Sequence, residues 1–286
     1  MIPRSFLFVP ADSERKLARA RESGAGALIL DLEDSVAAER KAVAREMAAE
    51  WLRARGASPS CWVRVNALET GLAMADLAAV AGARPDGIVL PKCRGREDLV
   101  RLDSALAALE AREGIAPGSI AVMPLVTETP GAIFSLGGYA GAPRLAALTW
   151  GGEDLAAAVG ARANRLDDGA WDEPYRLVRA LTLFAAGAAG VPAIDTVHAD
   201  ARDLDGLRAE CESGRRMGFA GRMAIHPAQV PVIEAAYAPT REEVDWARRV
   251  IAAFEAAPGA GVVSLDGRMV DRPHLVQARR MLGLPG

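Results

Sequence analysis

The chain predicts a (β/α)8 TIM barrel followed by a C-terminal helical and hairpin extension, and three features carry that expectation. Eight short apolar runs bounded by turn or polar residues recur along the chain. Segments with helical periodicity alternate with them. The residues directly after the runs are polar with unusual regularity, as expected where the active face of a parallel barrel is built from the loops that follow its strands.

The runs fall at residues 5–9, 27–30, 61–65, 87–90, 120–126, 145–150, 193–197 and 222–225. They are continuously apolar rather than alternating, so both faces of each strand should be buried, as in a parallel sheet covered by helices. Between them, three sets of residues at helical spacing are expected to face the sheet: Val43, Met47 and Trp51; Leu177, Leu181 and Phe184; and Leu204, Leu207 and Cys211. Eight such units in about 235 residues match a (β/α)8 barrel, whose usual size is roughly 250 residues, and a doubly wound open sheet is the competing arrangement. Residues 1–236 are assigned to the barrel and 237–286 to the extension. There, Thr240 and Glu243 form a capping box before a helix over 244–254, residues 262–265 and 269–270 read as a hairpin around Asp266 and Gly267, and a last helix runs to about Leu282.

Composition narrows the function classes. With 286 residues and 51% hydrophobic content the chain can bury a full core. A net charge of −3, from 34 basic and 37 acidic residues, provides no one-sign field of the kind that nucleic-acid or anionic-membrane binding exploits. Cys61, Cys93 and Cys211 are far apart and odd in number, which argues against a disulfide framework or a zinc site. The longest apolar segment, 181–194, is broken by glycines and Pro192 and is too short to span a bilayer. A soluble, cytoplasmic protein is the expectation, with neither a nucleic-acid nor a membrane partner.

Glu128 and Asp154 stand out because each lies just beyond an apolar run, on one predicted rim. Two carboxylates with waters in the remaining positions suit magnesium when a substrate oxygen must also coordinate it. Alternatively, each caps the helix that follows it. Asp31, Glu33 and Asp34 crowd three carboxylates into four residues, an arrangement that repels itself without a cation and is expected to orient metal-bound waters; Asp34 is equally placed to start the next helix. Arg64 sits inside an apolar strand, where a guanidinium needs an anion or a developing negative charge, and a structural ion pair with residues 31–34 is the alternative. Lys92 would add positive charge at the same rim or extend to solvent. Arg15 and Lys16 open the first helix, where cations suggest an anionic ligand such as phosphate, although a solvated face is the default. His226, ahead of Pro227, is assigned a structural hydrogen bond in preference to a catalytic role.

Seven stretches in order, 4–12 (RSFLFVPAD), 30–36 (LDLEDSV), 62–66 (WVRVN), 89–92 (VLPK), 128–130 (ETP), 151–155 (GGEDL) and 224–227 (AIHP), resemble the citrate lyase β-subunit-like branch of the HpcH/HpaI aldolase superfamily. The resemblance implies a magnesium-dependent carbon–carbon lyase acting on a 3-hydroxyacyl-CoA dicarboxylate such as citryl-, malyl- or citramalyl-CoA, giving an acyl-CoA and a 2-oxo acid of the oxaloacetate, glyoxylate or pyruvate type. It implies magnesium at Glu128 and Asp154, Arg64 on the reacting carbonyls, and an aspartate in a C-terminal segment that closes a neighbouring subunit's site. The segment 269–274 (MVDRPH) looks like that one and makes Asp271 the candidate acid/base. Arg15 and Lys16 would then meet the CoA phosphates, and a homo-oligomer, a trimer or hexamer, follows. Two glycines and Glu153 precede Asp154, so Glu153 contests the metal. The competing functions are a citrate lyase β-subunit working with an acyl-carrier subunit, a malyl-CoA thioesterase or malate synthase, and a CoA-independent magnesium-dependent pyruvate aldolase.

Overall fold

A computed structural model describes residues 2–56 and 58–284 and divides the chain into two compact units, 2–237 and 238–284. Met1, Pro285 and Gly286, which the expected segment boundaries include, lie outside the described residues.

The first unit contains strands β1 (Ser5–Pro10), β2 (Ala27–Asp31), β3 (Ser60–Arg64), β4 (Gly87–Leu90), β5 (Ala121–Pro124), β6 (Leu148–Thr149), β7 (Ala193–Asp195) and β8 (Gly221–Ala224). All eight runs expected from the sequence therefore contain a strand: the fifth, sixth and seventh are shorter than expected, and the other five agree to within one residue at each end. They pair in parallel in the order β5-β4-β3-β2-β1-β8-β7-β6. Parallel bridges from Val122 to Leu145 and from Leu125 to Thr149 join the two ends, so the sheet closes into a TIM barrel. Around it lie α1 (Glu14–Ala20), α2 (Lys41–Arg53), α3 (Ala73–Val80), α4 (Arg96–Arg112), α5 (Pro130–Ile133), α6 (Glu153–Val159), α7 (Glu173–Ala189), α8 (Leu204–Met217) and α9 (Val230–Tyr237).

Strand side chains alternate between two cores, as the twofold period of a strand requires. Leu7, Leu28, Leu30, Val63 and Ile88 face the helices, whereas Phe6, Ile29, Trp62, Val89, Met123, Ile194 and Met223 fill the barrel. Trp62 has room because its register partner is Gly87, where a Cβ would come within 2.2 Å of the indole. Two residues beyond these interior positions, the same inward series reaches Phe8, Asp31, Arg64, Leu125 and Ile225. The functional rim is thus the top layer of the barrel interior.

Two helical stripes differ from expectation. Leu177 and Phe184 are exposed on α7, whose buried face is Tyr175, Val178, Arg179, Thr182, Ala185 and Ala186. Val43 is likewise exposed on α2, which buries Ala44, Ala48, Ala49, Trp51 and Leu52. Trp51 is buried as expected, and Met47 and Leu181 pack against the core, but in both helices small residues make much of the remaining contact and allow the backbone to approach the barrel, so Val43, Leu177 and Phe184 fall outside the inner face. Leu207 and Cys211 on α8 are buried as expected.

The second unit contains α10 (Arg241–Glu255), β9 (Val262–Leu265), β10 (Arg268–Asp271) and α11 (Arg272–Met281), packed on Ala247, Val250, Phe254, Val270 and Ala278. The Thr240–Glu243 capping box forms as expected. So does the hairpin, whose two turn residues, Asp266 and Gly267, both have positive φ (52° and 74°), as a two-residue turn matching strand twist demands.

Candidate active site

A cavity of about 300 Å³ opens at the carboxyl ends of the strands, with Phe8, Asp31, Arg64, Leu125, Glu128, Trp150, Asp154 and Met223 among its walls. Glu128 and Asp154 both line it. Neither carboxylate caps a helix: the residue preceding α5 is Thr129 and the one preceding α6 is Gly152, and neither makes a side-chain capping bond. Asp34 likewise starts no helix, because a 3-10 turn at Ala38–Arg40 leads into α2. Glu153 is exposed at the first position of α6 and also borders the cavity.

Glu128 is buried, and its Oε2 accepts the Lys92 backbone N–H at 2.6 Å. Gly151 makes room for it, since a Cβ there would come within 2.9 Å of the Glu128 Cγ. The loops after β5 and β6 are tied by Thr127, whose hydroxyl donates to the Gly151 carbonyl and accepts from the Gly151 N–H, both at 3.0 Å. Burial, with the nearby charges of Asp154 and Glu33, pushes the Glu128 carboxyl up to about 8, so a cation that joined it would favour its ionised form.

Arg64 and Asp31 are register partners on adjacent strands. The guanidinium donates from Nε and Nη2 to the two Asp31 oxygens, each at 2.7 Å, and Nη1 lies 3.1 Å from Glu33 Oε2. It also stacks 4.7 Å from the Phe8 ring centroid. Burial opposes the ionised Asp31, but Arg64 outweighs it and holds the carboxyl below its ordinary value. Lys92 Nζ lies 2.6 Å from Glu33 Oε1, 3.5 Å from Asp154 Oδ1 and 3.7 Å from Asp34 Oδ2. The cations that the cluster of residues 31–34 requires are therefore Arg64 and Lys92. Burial still raises the Glu33 carboxyl above its usual value.

Arg15 and Lys16 are exposed on α1 and are not among the residues lining this cavity. His226 Nδ1 accepts the Ala228 N–H, a structural role of the kind expected from the sequence. Asp271 precedes α11 in the second unit, where its carboxylate contacts the His274 imidazole.

Sequence reasoning missed a second ionic cluster. Asp195, inside the seventh apolar run, is fully buried; it accepts the Trp150 indole N–H at 2.8 Å and pairs with Arg179 at 2.6 Å and Arg222 at 3.2 Å. Arg222 also meets Glu210. An arginine inside an apolar strand was the available signal, the same one that singles out Arg64.

The family model of HpcH/HpaI aldolase/citrate lyase matches residues 4–227. The chain belongs to that family. Among members of the HpcH/HpaI family it is 38% identical over 288 residues to a (3S)-malyl-CoA thioesterase of Cereibacter sphaeroides, covering 98% of this chain and 93% of the relative. It is 35% identical over 282 residues to the citrate lyase subunit beta of Escherichia coli K12, covering 98% and 92%. The structure of CitE from Mycobacterium tuberculosis in complex with magnesium, acetoacetate and coenzyme A superposes with a TM-score of 0.77 at 35% identity, covering 98% of this chain and 97% of that one. The present protein is thus a lyase-family enzyme of citrate lyase β-like type. Among the described residues no helix is long and apolar enough to cross a membrane.

Proposed function

We propose that the protein is a magnesium-dependent carbon–carbon lyase that cleaves a 3-hydroxyacyl-CoA dicarboxylate, of the citryl-, malyl- or citramalyl-CoA kind, into an acyl-CoA and a 2-oxo acid. The observation that carries this reading is the convergence of Glu128 and Asp154 on one cavity beside Arg64 and Lys92. The donor set fits magnesium: two hard carboxylates, one of them buried, in a cavity whose lining, among the described residues, includes no histidine or cysteine to favour a softer ion. A bound ion would polarise the oxo-acid carbonyl as a Lewis acid.

The chain's own groups supply the rest. Arg64, locked by Asp31, would direct its remaining N–H donors at the oxygen that becomes negative as the carbon–carbon bond breaks, a contribution of about 3 kcal/mol for one well-placed donor. Phe8, Leu125, Trp150, Met223 and Ile225 add apolar surface to the cavity walls beside the charged groups, which strengthens that interaction. A volume of about 300 Å³ suits the oxo-acid portion and thioester end but not a whole CoA, leaving the nucleotide outside, where Arg15 and Lys16 would meet its phosphates. Asp271, donated by a neighbouring copy and held by His274, would exchange the proton at the thioester α-carbon, so the working enzyme would be a homo-oligomer, a trimer or hexamer. Asp31, Glu33 and Asp34 would hold the cations and waters around the metal pair. The malyl-CoA thioesterase relatives favour hydrolysis of the thioester as the second reading.

The test is turnover of these CoA esters by the purified protein with magnesium, scoring acyl-CoA and oxo acid against free CoA. Glu128→Gln and Asp154→Asn should each abolish cleavage and weaken magnesium binding; unaltered affinity in both refutes the metal assignment. Asp271→Ala should be folded and inactive. Mixing it with Glu128→Gln under subunit exchange should restore part of the activity, because one site in the mixture can then receive both intact groups.

A further inference from the structure

Lys92 has a positive φ of 51°, in the left-handed region that a side chain adopts only at a cost. That conformation lets one residue address both carboxylates of the proposed metal pair. Its backbone N–H holds Glu128 at 2.6 Å, and its ammonium lies 3.5 Å from Asp154. The ammonium makes its short contact elsewhere, 2.6 Å from Glu33, so its hold on Asp154 is the weaker one. Arg64 cannot substitute, because it is bound to Asp31 through two hydrogen bonds. Among the described residues Lys92 is the cation within ion-pair distance of Asp154.

We propose that the Lys92 ammonium is a built-in stand-in for the divalent ion, neutralising Asp154 and Glu33 in the free protein and withdrawing onto Glu33 when magnesium arrives. The inference rests on reading Glu128 and Asp154 as the metal pair. A fixed positive charge beside the pair opposes a divalent cation, so the free protein holds magnesium weakly. An anionic oxo acid brings negative oxygens that offset the charges of the ion and of the ammonium held on Glu33. Magnesium and oxo acid therefore raise each other's affinity, and by linkage the two effects are equal. Lys92 is in this sense a positioning residue that sets the order of assembly.

The experiment is calorimetric titration of MgCl2, with and without pyruvate as the oxo-acid probe, into wild type, Lys92→Met, Lys92→Gln and Lys92→Arg, together with thermal melts of each. Removing one like charge at this distance in a half-exposed site should tighten magnesium binding to the free protein by about tenfold. Lys92→Met and Lys92→Gln should both show it, lose most of the coupling to pyruvate, melt lower than wild type without metal, and gain more from magnesium. Lys92→Arg, which keeps the charge, should bind like wild type. Two neutral variants guard against one failing to fold. If both bind magnesium as wild type does, or more weakly, Lys92 is only a strut for Glu33 and the inference is overturned. A wild type that binds no magnesium, or binds it no better than Glu128→Gln, brings down the metal reading itself, an outcome distinct from failure of the lysine variants alone.

Discussion

Gly151→Ala offers a sharp test of the site, because the methyl group it adds is aimed at Glu128. The new Cβ would sit 2.9 Å from the Glu128 Cγ and 3.1 Å from Oε1. Ordinary contacts begin near 3.4 Å, so one of the two must move by roughly half an ångström. Glu128 has little room to do so: it is 3% exposed, and its other oxygen is bonded to the Lys92 N–H at 2.6 Å. Overpacking of this kind costs about 1–3 kcal/mol. Misplacing a reacting or metal-holding group by up to about 1 Å can cost roughly a hundredfold in rate. The expected result is a drop of about 1–3 kcal/mol in unfolding free energy by urea titration, with weakened magnesium binding and a fall in turnover of one to two decades. Gly131→Ala is the control, since a Cβ there meets nothing within 4 Å, and it should stay within about 0.5 kcal/mol of wild type. If Gly151→Ala retains wild-type stability and turnover, then Glu128 is not confined as described, and its role as a fixed metal anchor fails with it.

Two further outcomes follow from buried charges. Arg222→Met removes a guanidinium that is 1% exposed and pairs with Asp195 and Glu210; the change should lower unfolding free energy by about 3 kcal/mol, the lower end for a broken buried pair because Arg179 still holds Asp195, and a loss below about 1 kcal/mol by denaturant titration would contradict the network. Glu110 is buried, and although burial opposes its charge, Arg144 and the N–H groups of Ile120 and Gly118 pull its carboxyl down to about 2. A depressed carboxyl adds stability that is fully present above its ordinary value of 4.5 and is lost as pH falls from there toward about 2. Glu110→Gln should therefore flatten the acid limb of a stability-against-pH profile and leave a lower plateau at neutral pH; an unchanged acid limb would show that Glu110 does not carry it.

The strands were legible because a parallel barrel buries both faces of each one, which leaves a continuous apolar run that needs no knowledge of its partners. The same logic exposed Glu128 and Asp154 as carboxylates just past such runs and Arg64 as a charge inside one. The Thr240–Glu243 cap and the Asp266–Gly267 turn were legible because their bonds span only two or three residues. The inner faces of α2 and α7 were legible only in part, through Trp51, Met47 and Leu181, since packing distance rather than side-chain size chose Ala44, Ala48, Ala185 and Ala186 over Val43, Leu177 and Phe184.

What the sequence determined by itself is the barrel, its rim and the residue types at that rim, all consequences of local period and of burial. Only the tertiary structure decided the pairing. Register set Asp31 opposite Arg64 and Asp195 opposite Arg222, with Arg179 reaching Asp195 from α7, and the backbone at Lys92 turned one residue toward both Glu128 and Asp154. A charge in a sequence states only that it needs a partner; which partner it finds depends on distances between strands and loops far apart along the chain.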